Sequence, residues 1–60
     1  MSNKIKKLRE KAGLSQIDVA RILGISHVAV VKWENGKTMP RTKMLPRLAK
    51  VLRCEVNDFF

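Results

Sequence analysis

Sixty residues hold one domain at most, and a chain this short buries only about 60% of its extended-chain surface, so neither a second domain nor a deep enzyme cleft fits. The composition, 45% hydrophobic and 30% charged, is that of a folded chain rather than a disordered one. Thirteen Lys and Arg against five Asp and Glu leave a net charge of +8, which draws the domain to polyanions: DNA, RNA or an anionic membrane surface.

Apolar residues recur at helical spacing along the whole chain, and no stretch alternates as a strand would. Ile5, Leu8 and Ala12 predict a first helix over residues 3–11, capped by Ser2 or Asn3 and ended by Gly13. Ser15, with Asp18 three residues on, forms a capping box that opens a second helix. That helix buries Val19, Ala20 and Leu23 and stops at Gly24, which suits a left-handed cap. Ala20 is small enough for two helices to cross beside a short turn, and Ile25 plugs that turn from below.

Ser26 caps a third helix running from His27 to about Glu34, and Asn35-Gly36 turns the chain. Residues 37–41 form a basic connector. A fourth helix is expected from near Thr42 to about Arg53. Pro46 sits one turn in and lacks a backbone donor, which predicts a distorted first turn or a start two residues late. A short fifth helix, 56–60, closes the chain behind Glu55, a weak cap.

Cys54 is the only cysteine, so there is no internal disulfide and no cysteine-based metal site, and a lone thiol suits a reducing compartment. The first ten residues lack the apolar stretch of a secretory signal, and the longest aliphatic run, Val28 to Val31, is far too short to cross a bilayer. There is one histidine, no nucleophile at triad spacing, no carboxylate pair in a cleft and no glycine-rich phosphate loop. Neither an enzyme nor a cofactor, metal or small-molecule site is expected, and 60 residues leave no room for a separate ligand-sensing domain.

Residues 16–36, QIDVARILGISHVAVVKWENG, carry the functional signal: two short helices joined by a tight turn. On the third helix Val30 and Trp33 share one side, while His27, Val28, Val31 and Lys32 share the other. A solvated helix face should be charged, and this one holds two valines, a histidine and a lysine. Small apolar groups there suit the methyl group of thymine, His27 can donate to or accept from a purine edge, and Lys32 reaches guanine or a phosphate. Burial of Val28 and Val31 in the core is the competing reading, since residues 28–31 are all apolar.

IKKLREKAGLSQ, the turn VARILGIS, KWENGKTMP and LPRLAKVL followed by VNDFF together resemble the phage repressor and Cro-like helix-turn-helix domains, the XRE family, over residues 5–60. The resemblance implies an all-α, compact five-helix repressor-like domain spanning residues 1–60. It also implies binding of double-stranded operator DNA in a bacterial or phage cytoplasm, commonly as a homodimer. Gln16 matches a glutamine that clamps a phosphate and braces the first reading residue, here His27. Arg9 and Glu34 match a buried ion pair. Lys37, Thr38 and Arg41 fall in the loop along the DNA backbone, with Ser26 and Lys43 as further backbone contacts. His27 and the two valines depart from residues more often polar in the family, and Arg53 stands where the family often has glycine.

Met44, Val56, Phe59 and Phe60 are the candidates for a dimer face, because apolar residues at a chain end otherwise stay exposed. Capping the domain's own core is the alternative role for them, one that suits Phe59 better, while Phe60 suits the contact. An antitoxin-like protein-interaction module of the same fold is the rival function. A membrane-surface helix is disfavoured by the thin apolar face of the first helix.

Overall fold

The structure, a computed structural model, describes residues 2–60, with side chains from Lys4 onward. Its elements are α1 (Ser2–Lys11), α2 (Gln16–Leu23), α3 (His27–Glu34), α4 (Met44–Val51) and a 3-10 turn, Val56–Phe59. No strand occurs among the described residues. The cap expected at Ser2 or Asn3 lies outside the described side chains.

Local chemistry sets the boundaries of α2 and α3. Ser15 Oγ accepts from the Asp18 amide at 3.0 Å while Asp18 Oδ2 accepts from the Ser15 amide at 2.9 Å, so two otherwise unpaired donors are satisfied reciprocally. These bonds hold the Asp18 carboxyl below its usual range. At the other end Gly24 takes φ +71°, and the Ile25 amide returns to the Ala20 carbonyl at 3.0 Å, closing the helix in one step. Two residues later Ser26 Oγ accepts from the Ala29 amide at 3.2 Å and α3 begins. The chain is therefore helical on both sides of a three-residue turn.

The core gathers between the four helices. Ile5 of α1, Val19, Ala20 and Leu23 of α2, Val30 and Trp33 of α3, and Leu45, Leu48 and Ala49 of α4 are all buried. α2 packs on α3 and α4, α1 packs on α3, and the 3-10 turn closes against α4 and α1. Each large apolar side chain removed from water contributes roughly 1.5–3 kcal/mol, which is how so short a chain offsets the entropy of ordering.

Three expectations are corrected. The fifth helix is a single 3-10 turn, giving four α-helices among the described residues rather than five helices. Four residues cannot close a run of i to i−4 bonds, and the tighter winding carries Phe59 inward. Phe59 is 0% exposed, so it is core and not part of a dimer face. α4 stops at Val51 rather than near Arg53, while its start is the late one that Pro46 predicts. Residues 42 and 43 form a turn in which the Arg41 carbonyl accepts from Met44 at 2.8 Å, and the helix starts at Met44, two residues late. This start puts Pro46 among the first helical residues, whose amides have no partner within the helix, so its missing donor costs nothing. After Val51 the chain leaves through Leu52, and Arg53 takes φ +56°, a left-handed conformation that glycine adopts without strain.

Candidate nucleic-acid interface

α3 has two unlike ends. Its last turn is buried: Trp33 and Glu34 are 7% and 5% exposed. Its first turn is open: His27 and Val28 are exposed, Ala29 is half-buried, and Val30 behind them is fully buried. Lys32 is exposed and Val31 is half-buried. His27, Val28, Val31 and Lys32 thus form an outward strip, with Val28 58% exposed rather than in the core.

A chain of polar contacts runs from α1 to the tip of this strip. Arg9 Nε donates to Glu34 Oε2 at 2.6 Å, and Nη2 to Oε1 at 3.1 Å. Arg9 Nη1 donates to the Leu14 carbonyl at 2.8 Å. Gln16 Nε2 donates to Glu34 Oε1 at 3.0 Å, and Gln16 Oε1 lies 3.0 Å from His27 Nε2. Four residues from three helices therefore share one hydrogen-bonded line.

Burial pushes the Glu34 carboxyl up, but the hydrogen bonds from Arg9 and Gln16 and the charges of Arg9 and Lys6 outweigh it and hold the group below the usual carboxylate range. The same hydrogen bond to Glu34 raises Arg9 against the opposing effect of burial. The carboxylate is ionised, paired and nearly dry. No buried side-chain nitrogen or oxygen lacks a partner among the described residues.

The bond between Gln16 and Glu34 has no counterpart in the sequence reading, which gave Gln16 only to a phosphate and to His27. A usable signal exists, because a buried carboxylate offers about four lone-pair positions and one arginine cannot fill them all.

Behind α3 the Lys37 amide returns to the Lys32 carbonyl at 3.0 Å, which draws the basic connector against the end of the helix. Lys37, Thr38, Arg41 and Lys43 are all exposed, and Lys43 sits at the cap of α4 with no side-chain bond to the helix. Ser26 is exposed, with its hydroxyl already accepting from Ala29. Gln16 is half-buried.

Met44, Val56 and Phe60 do not form one patch with Phe59. Met44 and Val56 are half-buried against the core, while Phe60 is 59% exposed. Met44 also lines a hollow of about 250 Å³ with Ile25, Ala29, Trp33, Met39 and Arg41. Met39, which the sequence reading did not single out, is 56% exposed.

No helix among the described residues is long and apolar enough to cross a membrane, and no group of three His, Cys, Asp or Glu among them is arranged to hold a metal ion.

The family model described as helix-turn-helix matches residues 5–59. An uncharacterized HTH-type transcriptional regulator of Methanocaldococcus jannaschii is 35% identical over 60 residues, covering 100% of this chain and 91% of the relative. Repressor protein C2 of Salmonella phage P22 is 33% identical over 54 residues, and the HTH-type transcriptional regulator DicA of Escherichia coli is 39% identical over 54 residues. Each of these two alignments covers 90% of this chain, but only 25% of C2 and 40% of DicA. No solved structure matches this chain. With α2, the turn and α3 in place and 55 consecutive positions matched by the family model, the chain belongs to the helix-turn-helix family.

Proposed function

We propose that this chain is a sequence-specific DNA-binding transcriptional regulator, acting as a repressor, that enters the major groove with α3 and binds an inverted-repeat operator as a twofold dimer. The observation that carries the proposal is the outward strip of α3. On a chain of net charge +8 its first turn exposes a histidine and a valine, not the charged residues a merely solvated face would hold. Relatives named as repressors and transcriptional regulators support the same reading.

In this reading the two kinds of contact divide between two regions. Lys37, Thr38, Arg41 and Lys43, with Gln16 and Ser26, go to phosphates and set the register. His27, Val28, Val31 and Lys32 go to base edges. Neutralising phosphates releases counterions and supplies affinity that carries no sequence information. One copy reaches too few base pairs for strong discrimination, so two copies place their α3 helices about 34 Å apart, one DNA turn. Exposed Phe60, with half-buried Met44 and Val56, supplies the apolar surface for the second copy.

Selection from a random duplex DNA pool at near-physiological salt tests this. The expected result is an enriched inverted repeat with half-sites about one turn apart. Binding with no enrichment that disappears as salt rises would leave only charge holding the DNA. The rival, a module whose main partner is another protein, would then take its place.

A further inference from the structure

We propose that His27 reads DNA through Nδ1 as a hydrogen-bond acceptor, and so recognises a base by its exocyclic amino group: N6 of adenine or N4 of cytosine. This rests on the reading of α3 as the groove-binding helix. It goes further by settling which of two opposite roles a histidine at that position plays.

The constraint on His27 begins in the core. Glu34 is an ionised carboxylate, 5% exposed, and a carboxylate can only accept. The Gln16 atom 3.0 Å from Glu34 Oε1 must therefore be the amide nitrogen, whichever way an isolated glutamine might turn. That leaves Gln16 Oε1, an acceptor, facing His27 Nε2 at 3.0 Å. Two acceptors cannot bond each other, so Nε2 carries the ring proton. A neutral imidazole has one such proton, and Nδ1 is left bare. No described protein group bonds Nδ1, and His27 is exposed at the first residue of α3.

The major groove offers few donors. Guanine N7 and O6, adenine N7 and thymine O4 all accept, while adenine N6 and cytosine N4 donate. An acceptor at Nδ1 pairs with the amino groups and leaves the others unsatisfied. The buried pair of Arg9 and Glu34, two hydrogen bonds away, thereby fixes the sign of a contact at the surface.

Every base pair carries one amino group in the major groove, so the selected sequence alone cannot reveal which atom is read, but single-atom deletions can. The operator is first selected with the wild-type chain and with His27→Ala. The position whose preference the variant loses is the one His27 reads. Affinity is then measured for duplexes lacking the amino group there (purine for adenine, 2-pyrimidinone for cytosine) and for duplexes lacking the purine N7.

Removing the amino group is expected to weaken wild-type binding about fivefold, the size of one hydrogen bond, and His27→Ala binding by less than about twofold. Gln16→Met, which keeps the volume and removes the lock, is expected to weaken all duplexes and to cut the amino-group ratio toward about twofold. A merely structural Gln16 would lower affinity and leave that ratio alone, which would overturn the role given to it. A cost for deleting N7 with none for the amino group would show Nδ1 donating and overturn the proposal. So would a selected operator with no position that depends on His27. If no operator is enriched at all, the proposed function falls first and this inference with it.

Discussion

Arg9 on α1 and Glu34 at the end of α3 meet through two contacts, Nε to Oε2 at 2.6 Å and Nη2 to Oε1 at 3.1 Å, while the third guanidinium nitrogen holds the Leu14 carbonyl. Their side chains are 11% and 3% exposed. An exposed pair contributes little, but removing one partner of a buried pair strands the other charge and costs about 3–5 kcal/mol.

A 60-residue chain has a total stability of roughly 3–9 kcal/mol. Arg9→Ala is therefore expected to leave the domain at the edge of unfolding or past it. Replacing both residues, Arg9→Leu with Glu34→Leu, should recover much of the loss, because no charge is then left unpaired. Urea unfolding followed by the fluorescence of Trp33, the only tryptophan and a buried one, measures both variants. A single variant as stable as the wild type would mean that the pair contributes nothing.

Acid should unfold the domain for an assignable reason. Glu34 and Asp18 both have folded-state pKa values below their ordinary ones. Between the two the unfolded chain binds more protons than the folded one, so stability falls as pH falls. The contribution is complete above the ordinary carboxylate range, about pH 4–4.5, and is lost on going down through the folded-state values. Thermal melts at pH 6, 4 and 3 should show a drop that starts near pH 4. Glu34→Gln should flatten part of it.

Val28→Ala separates reading from folding. Val28 is 58% exposed, so its truncation should change stability by no more than about 0.5 kcal/mol. If it touches a thymine methyl, preference at one operator position should fall by roughly 1 kcal/mol while affinity for unrelated DNA holds. Paired melting and binding measurements check this, and unfolding of the variant would return Val28 to the core.

Phe59 and Phe60 should behave oppositely. Phe59→Ala empties a fully buried position and should cost about 3–5 kcal/mol in urea unfolding. Phe60→Ala should leave the monomer's stability within about 0.5 kcal/mol. If Phe60 lies on the dimer face, sedimentation will show weaker self-association.

Arg53→Gly is expected to stabilise the domain. At φ +56° a residue with a Cβ is strained by about 1–2 kcal/mol, and the greater freedom of glycine in the unfolded chain returns about half of that. A net gain of roughly 0.5–1 kcal/mol would raise the melting temperature by several degrees. A loss would mean that the arginine stem packs on Leu8 and Leu52, beside which it lies around one hollow.

The elements that were legible in the sequence have short-range causes. Ser15 with Asp18, Gly24 and Ser26 mark α2 and α3 to the residue, because each boundary is made by atoms within three to five positions. Pro46 announced uncertainty at the start of α4 without saying which way it would fall, and the Arg41 carbonyl decided it. The chain's last residues were least legible. Whether Phe59 or Phe60 faces inward depends on the pitch of one turn and on the space between α4 and α1, which no local pattern encodes. The same limit hid the contact between Gln16 and Glu34, 18 positions apart.

The outward strip of α3 rests on two separate supports. Val28 and Lys32 point away from the core and answer only to their own helix, so other side chains can stand there with the fold unchanged. His27 must also satisfy Gln16, and through it Glu34 and Arg9. A library aimed at new binding preferences should therefore vary positions 28 and 32 freely, and position 27 only together with 16. A single change at 27 leaves Gln16 Oε1 without its partner, while the bonds among Gln16, Glu34 and Arg9 stay in place.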